Sequence, residues 1–346
     1  SIYFRQVAPP VCASLRCHGM MYRALAATYA VVVSAVNKCR PPPPWSMTEI
    51  PVSVYYHRKP ALELSDVVLA VFSDGRPEST VAWEALQSTW GRHLPAYRIL
   101  TDQEVPRGTR TTNDTIVLPC AWARFEPDAC TTYPSHILKA HQGLRAVFEC
   151  NQQAAWFGTV GGDTYLNHKA LLAQLEAAPQ ICQASSKALC VGHMTEVTFD
   201  VDVKYLDILD GAAGIFCNRA AMAVLSSGLD TCDSLAGRLW PTKRVPSADI
   251  VLTGCLASLN IPMCHLTGFF SPQKPWRRAV EDIDLGVVSW HYMTTPSEFE
   301  ALHSLVEGRW PSVHLSRTRN DNAIRRFLVK LRASDYANRS LRVGFL

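Results

Sequence analysis

The sequence predicts an α/β fold: one domain built on a mostly parallel central sheet, Rossmann-like, with helices flanking both faces. Three observations predict it. From residue 66 onward, apolar runs of strand length alternate with segments of helical spacing, the order that buries a parallel sheet between two helix layers. The first run, DVVLAVFS at residues 66–73, is nearly continuous, as a strand covered on both faces requires. A second, at residues 154–160, runs into Gly161, Gly162 and Asp163, so a lone carboxylate stands where a buried strand ends. Open α/β sheets place ligand chemistry there, and a nucleotide-binding domain is the corresponding expectation.

The elements follow in order. Asp74-Gly75-Arg76-Pro77 turns the chain out of the first strand. Residues 79–90 are spaced as a helix with Val81, Ala82, Ala85, Leu86 and Thr89 on one face, and residues 97–101 form a short strand. In residues 135–150, Ile137, Leu138, Ala140, Leu144, Val147 and Phe148 mark a helix leading into the second buried strand. Asn167 caps a helix carrying Leu171, Leu172 and Leu175. Residues 211–225 pass from small residues through a strand into a helix. Ser247 caps a helix over 248–259 with Asp249 in its first turn, where the helix dipole favours an acid. VVSWH, residues 287–291, is a strand ending in a histidine. Thr295, Pro296 and Glu298 then form a capping box with proline at the first helical position, opening a helix to Val306.

A chain of 346 residues, 48% apolar, can bury a sizeable core. Its net charge of +4 is unevenly spread: residues 309–346 hold nine Lys or Arg against Asp321 and Asp335, leaving the rest mildly acidic. No basic stripe interleaved with aromatics precedes that tail, which argues against nucleic acid as a partner. Within the tail, residues 322–333 set Ile324, Phe327, Leu328 and Leu331 against Arg325, Arg326, Lys330 and Arg332. Such a basic amphipathic helix packs on the domain with its charged face in solvent, or lies on a membrane surface or partner.

Nine of the twelve cysteines, Cys120 to Cys264, lie in the main domain without CxxC or Cys/His spacing, so an oxidising compartment explains them better than zinc. The sequons at Asn113 and Asn338 agree with a lumenal chain. Met20 or Met21, Arg23 and the apolar residues 24–36 read as a cleaved signal peptide or a short signal anchor. Pro41 to Pro44 begin a stiff linker. The expected organisation is an N-terminal segment (1–40), a proline-rich stem (41–65), the folded domain (66–310) and a basic tail (311–346).

The residues at the end of the second buried strand admit two readings. Asp163 could close a tight turn and cap the helix, or hold a hard divalent cation against phosphate oxygens. Gly161 and Gly162 would then allow close backbone approach or positive φ. Trp276 and Trp290 are either sugar-stacking surfaces or core aromatics.

Several segments in one order resemble the fringe and core 1 β1,3-galactosyltransferase group of inverting glycosyltransferases. They are LQSTWGRH (86–93), ILKAHQGL (137–144), WFGTVGGDTYLN (156–167), GAAGIFCNRAA (211–221), ADIVLTGCLASLNIP (248–262) and VVSWHYMTTPSEFEAL (287–302). The resemblance spans about two-thirds of the chain, residues 67–306. It implies a single nucleotide-sugar-binding domain of the GT-A type in a type II Golgi or ER protein. Galactose would come from UDP-galactose, with Mn²⁺ as cofactor and a glycan or glycoprotein as acceptor; a homo-oligomer is within the family's range. Asp163 matches the family's metal-holding aspartate, His291 its second metal ligand, and Asp249 its catalytic base. Thr164, Trp90 and Lys139 fall in segments that bind the nucleotide sugar. Cys232 and Cys255 match a cysteine pair flanking the Asp249 helix, which implies a disulfide. Gly161 and Gly162 depart from the pattern, standing where two family aspartates would be. The same family includes a chaperone without the aspartate cluster, so a non-catalytic interaction module is the alternative.

Overall fold

The computed structural model describes residues 62–73, 77–101, 115–117, 134–183, 187–197, 206–239, 247–266, 268–269, 274, 276, 287–309 and 319–333. The N-terminal segment, residues 41–61 of the proline-rich stem, and Asn113 and Asn338 of the two sequons lie outside the described residues. Among the described residues no helix is long and apolar enough to cross a membrane.

The architecture is α/β. The strands of the central sheet are β1 (Val67–Phe72), β2 (Tyr97–Thr101), β3 (Thr115–Val117), β4 (Trp156–Gly161), β6 (Cys190–Gly192), β9 (Ile215–Asn218) and β10 (Met263–His265), in the order β10-β6-β9-β4-β1-β2-β3. Every neighbouring pair is parallel except those of β9, which runs against both β4 and β6. Two antiparallel ribbons stand apart: β5 (Tyr165–Leu166) with β11 (Ser289–Trp290), and β7 (Met194–Val197) with β8 (Leu206–Leu209).

β1 shows why its run is unbroken by polar residues. Val67, Leu69 and Val71 enter one core while Val68 and Ala70 enter the other, and all five are essentially inaccessible. Each fully buried Val or Leu contributes about 1.5–3 kcal/mol, so no position could be polar without cost. One face is covered by α1 (Pro77–Ser88), the 3₁₀ turn Trp90–His93, α3 (His168–Ile181), α7 (Pro296–Val306) and α8 (Arg319–Ala333); the other by α2 (Pro134–Cys150), α4 (Arg219–Ser227), α5 (Leu229–Leu239) and α6 (Ala248–Ser258). Disulfides join Cys182 to Cys264, Cys190 to Cys217 across the β6–β9 pair, and Cys232 to Cys255 between α5 and α6.

Three local expectations change. α1 turns Trp83, Ala85, Leu86 and Thr89 inward and leaves Val81 46% exposed, because the Trp83 indole takes the inner position and donates to Ser73 Oγ at 2.8 Å. The strand expected over 287–291 contracts to Ser289–Trp290 and pairs with β5 outside the central sheet. Ser247 occupies the N-cap of α6 without capping it; its hydroxyl donates to Asp249 Oδ1 instead. Asn167 does cap α3, accepting from the N–H groups of Lys169 and Ala170, and Thr295 and Glu298 form the capping box of α7. The α8 helix buries Ile324, Phe327 and Leu328, leaves Arg325, Arg326 and Lys330 outward, and is tied to α7 by Ser297 Oγ donating to Asp321 Oδ1 at 2.7 Å.

Candidate functional site

The site forms at the C-terminal ends of β1 and β4, where Phe72 and Gly161 are register partners. Gly162 N–H donates to Phe72 O (3.0 Å) and Thr164 N–H to Gly161 O (3.1 Å), making a turn that projects Asp163 beyond the sheet. Neither glycine takes positive φ. A Cβ on Gly161 would stand 2.8 Å from Asp163 Oδ1 and 3.7 Å from His291 Cε1, so a side chain there would push the Asp163 carboxylate aside. A Cβ on Gly162 would meet only ordinary contacts with Phe72 and Ser73.

The β5–β11 ribbon brings the second half of the site across. Trp290 pairs with Tyr165, Met293 N–H donates to Asp163 O at 2.8 Å, and His291 is carried over the turn. His291 Nδ1 then lies 3.4 Å from Asp163 Oδ1 and 3.0 Å from Thr164 Oγ1. Tyr292, next to it, has φ +64° and is 57% exposed, with its ring 4.0 Å from that of His291. An aromatic residue in the left-handed region is strained, and such strain persists where surrounding contacts over-determine the backbone. Here those contacts are the ribbon pairing and the Met293–Asp163 bond.

Beneath Asp163, Trp90 is buried and its indole N–H donates to Thr164 O at 3.1 Å. Lys139 is equally buried, and its ammonium donates to Ser73 O at the end of β1. Both side chains therefore brace the floor of the turn. Trp276 and Trp290, weighed as sugar-stacking surfaces, are corrected to core aromatics. Trp290 points inward beside Tyr165, ring centroids 6.0 Å apart, and Trp276 sets its edge against Phe327 at 6.5 Å.

Asp249 stands on the first turn of α6. Its carboxylate accepts from Ser247 Oγ, from Ile250 N–H at 3.0 Å and from Gly211 N–H at 3.3 Å. A carboxylate offers about four acceptor positions, so it is held in place with capacity to spare. The loop after β8 joins the two halves: Gly211 holds Asp249, while Ala212 O accepts from Thr164 Oγ1 at 3.2 Å and Ala213 O accepts from Ser289 Oγ at 2.8 Å.

That loop also carries Asp210, which sequence reasoning passed over. Burial pushes its carboxyl above the ordinary Asp range; a hydrogen bond from Ala212 N–H (2.8 Å) pulls it back, and the Asp249 charge pushes it up again, against His193 and His291. The signal was present: like Asp163, it is an acid directly after an apolar strand, in this case LDIL of β8.

The donor atoms present fit one divalent cation shared with a substrate. Asp163 and His291 offer a carboxylate oxygen and an imidazole nitrogen 3.4 Å apart, a separation suited to neighbouring ligands on an ion with bonds of about 2.0–2.6 Å. The Thr164 hydroxyl can leave His291 Nδ1 for Ala212 O. The remaining positions would belong to phosphate oxygens and water, the usual arrangement for a hard cation held by one or two protein groups.

No protein-family model matches the chain, and no curated protein matches it in sequence. Among solved structures, it is similar to one described as "crystal structure of a glycosyltransferase involved in the glycosylation of the major capsid of PBCV-1", at 12% identity and a TM-score of 0.32, over 67% of this chain and 97% of that one.

Proposed function

We propose that this chain is a GT-A type inverting β1,3-glycosyltransferase that moves a hexose, galactose in the reading favoured by its motifs, from a UDP-sugar to a glycan or glycoprotein acceptor of the core 1 kind. The observation that carries the reading is the Gly211–Ala212 joint. One backbone N–H fixes Asp249, and the next residue's carbonyl fixes Thr164, beside the Asp163–His291 pair. One short loop thus ties an acid able to take a proton to a pair of groups able to hold a diphosphate through a cation.

Asp163 and His291 would hold Mn²⁺, which when bound neutralises charge growing on the diphosphate. Asp249 takes the proton of the acceptor hydroxyl as its oxygen attacks the sugar anomeric carbon. The bond from that carbon to the UDP oxygen breaks with its electron pair leaving on UDP, which inverts the centre. Thr164 orients His291, while Trp90 and Lys139 keep the turn beneath Asp163 rigid. The cysteine usage supports a lumenal setting, and the type II anchor in the ER or Golgi membrane is the matching proposal for the N-terminal segment.

Calorimetry with UDP and millimolar Mn²⁺ tests the reading. UDP binding should depend on Mn²⁺ and be lost in Asp163→Ala, and slow UDP-galactose hydrolysis or transfer should be lost in Asp249→Asn. Absence of UDP binding by the wild-type chain would sink it. Gly161 and Gly162 favour a second reading, a non-catalytic chaperone or interaction module of the same fold. That reading requires a stable complex with a related transferase and no donor binding.

A further inference from the structure

A second cluster of ligating side chains lies behind the β5 ribbon, away from Asp163. It gathers His93 from the 3₁₀ turn, His168 from the first position of α3, His303 from α7 and Glu307 from the C-cap that ends α7. Ligand atoms of His93, His303 and Glu307 all lie within 4.8 Å of one another. His168 stacks on His93 with ring centroids 4.2 Å apart, and its Nε2 is 3.9 Å from Glu307 Oε1.

The cluster is poorly explained as packing. His168 is 6% exposed, yet its Nδ1 has no hydrogen-bond partner. The lone pairs of His93 Nε2 and His303 Nε2 both face the Arg92 guanidinium, at 3.2 and 2.8 Å, so a cation already sits where the two imidazoles converge. Arg92 is itself exposed and can leave for solvent. His303 Nδ1 is engaged by the Tyr165 hydroxyl at 3.0 Å. That contact fixes which nitrogen of His303 faces the cluster, as an outer partner does for metal-ligating histidines.

We propose that His93, His303 and Glu307 form a transition-metal site of the zinc class, with water as the fourth ligand and His168 stacked behind His93, entered when the ion displaces the Arg92 guanidinium. Two imidazoles and one carboxylate, leaving one position to water, suit zinc and do not suit calcium or magnesium, which take oxygen ligands. Bonds of about 2.0–2.1 Å put tetrahedral ligands about 3.3 Å apart. Ligand atoms spread over as much as 4.8 Å must therefore close in by up to about 1.5 Å, which the partly exposed His93 and Glu307, at the ends of their elements, permit. The protonation states agree with ligation. Burial, with neighbouring imidazoles and Arg92, holds His168 and His303 at about 4 and His93 below its ordinary value. Burial pushes Glu307 up, and Lys169 and the nearby imidazoles more than reverse that. An ion bound here would clamp the 3₁₀ turn to the end of α7; this site is independent of the proposed transferase activity.

The test is calorimetric titration of the chelator-treated full chain with Zn²⁺, paralleled by the visible spectrum with Co²⁺. One equivalent should bind, with the Co²⁺ absorption of a four-coordinate site of mixed nitrogen and oxygen ligands. Arg92→Ala should bind at least as tightly as wild type. Glu307→Gln and His93→Ala, both at partly exposed positions at the ends of their elements, should weaken binding about tenfold or more. Asp163→Ala should leave it unchanged. The proposal is overturned if neither wild type nor Arg92→Ala, each shown folded by circular dichroism, binds Zn²⁺. It is equally overturned if binding survives both Glu307→Gln and His93→Ala, or disappears in Asp163→Ala.

Discussion

His291 Nδ1 and Asp163 Oδ1 stand 3.4 Å apart, although one follows β11 and the other follows β4. Without a cation this is a partly exposed contact worth at most about 1 kcal/mol, so its removal should barely affect folding. Its removal should matter to ligand. His291→Ala and Asp163→Ala are each expected to lower Mn²⁺-dependent UDP affinity at least tenfold, and the double variant to lose less than the product of the two. Calorimetry on the four proteins, with melting curves as the folding control, measures that coupling. Strictly multiplicative losses would show that the two residues do not share one ligand.

Gly161 and Gly162 give opposite outcomes for the same substitution. At Gly162 the added side chain meets only ordinary contacts, so Gly162→Asp should fold normally and strengthen Mn²⁺ binding several-fold by adding a carboxylate beside Asp163. At Gly161 the new Cβ would stand 2.8 Å from Asp163 Oδ1, forcing that carboxylate away. Gly161→Asp should therefore weaken Mn²⁺-dependent UDP binding. Manganese titrations of the two variants decide this, and equal effects would remove the proximity argument.

The parts of the fold written in local signals were legible in the chain. Residues 66–73 announce a strand buried on both faces because polar residues are costly there, and Thr295-Pro296-Ser297-Glu298 announces a helix start because all its capping bonds lie within four residues. Asp163 and Asp249 were legible as an acid after a strand and an acid on a first helical turn. What depends on long-range pairing was not. Nothing local says that Ser289–Trp290 joins Tyr165–Leu166, or that this pairing turns Trp290 inward and His291 outward. Of the histidine cluster, only the four-residue spacing of His303 and Glu307 at the end of α7 is visible in sequence; His93 and His168 arrive by tertiary packing.

Asp210 should destabilise the fold at neutral pH. Its folded pKa is raised, chiefly by burial, above the unfolded value near 3.8. Its contribution is therefore most favourable below the unfolded pKa and is lost as pH rises through the folded one. Asp210→Asn keeps an oxygen to accept from Ala212 N–H and removes the charge. It should raise Tm at pH 7, and the gain should shrink as pH falls toward 4. Thermal melts of both proteins across that interval check the sign; a gain independent of pH would assign the effect to something other than ionisation.

The disulfide between Cys232 and Cys255 ties α5 to α6, the helix that carries Asp249, and both cysteines are fully buried. Closing a loop of this length in the unfolded chain is worth roughly 3 kcal/mol. The Cys232→Ala/Cys255→Ala double variant should lose about that much in urea unfolding. The proposed UDP binding, assigned to Asp163 and His291, should be retained by the molecules that remain folded. Loss of UDP binding without unfolding would mean that the placement of α6 governs the donor side as well.

Acid should destabilise the metal-free protein well above the carboxylate range, because His168 and His303 are buried as neutral imidazoles with pKa values of about 4. Above pH 6.5 both are neutral in the folded and unfolded states and leave stability unchanged. As pH falls from 6.5 to 4 the unfolded chain takes up protons that the folded one refuses. Stability then drops by roughly 1 kcal/mol per pH unit for each histidine, less where charging one hinders the other. Urea midpoints measured in chelator from pH 7.5 to 4.5 should fall steeply below 6.5. The fall should be shallower in His168→Asn, which cannot titrate. A wild-type profile flat to pH 5 would mean that His168 and His303 are protonated in the folded protein, against the burial that holds them neutral.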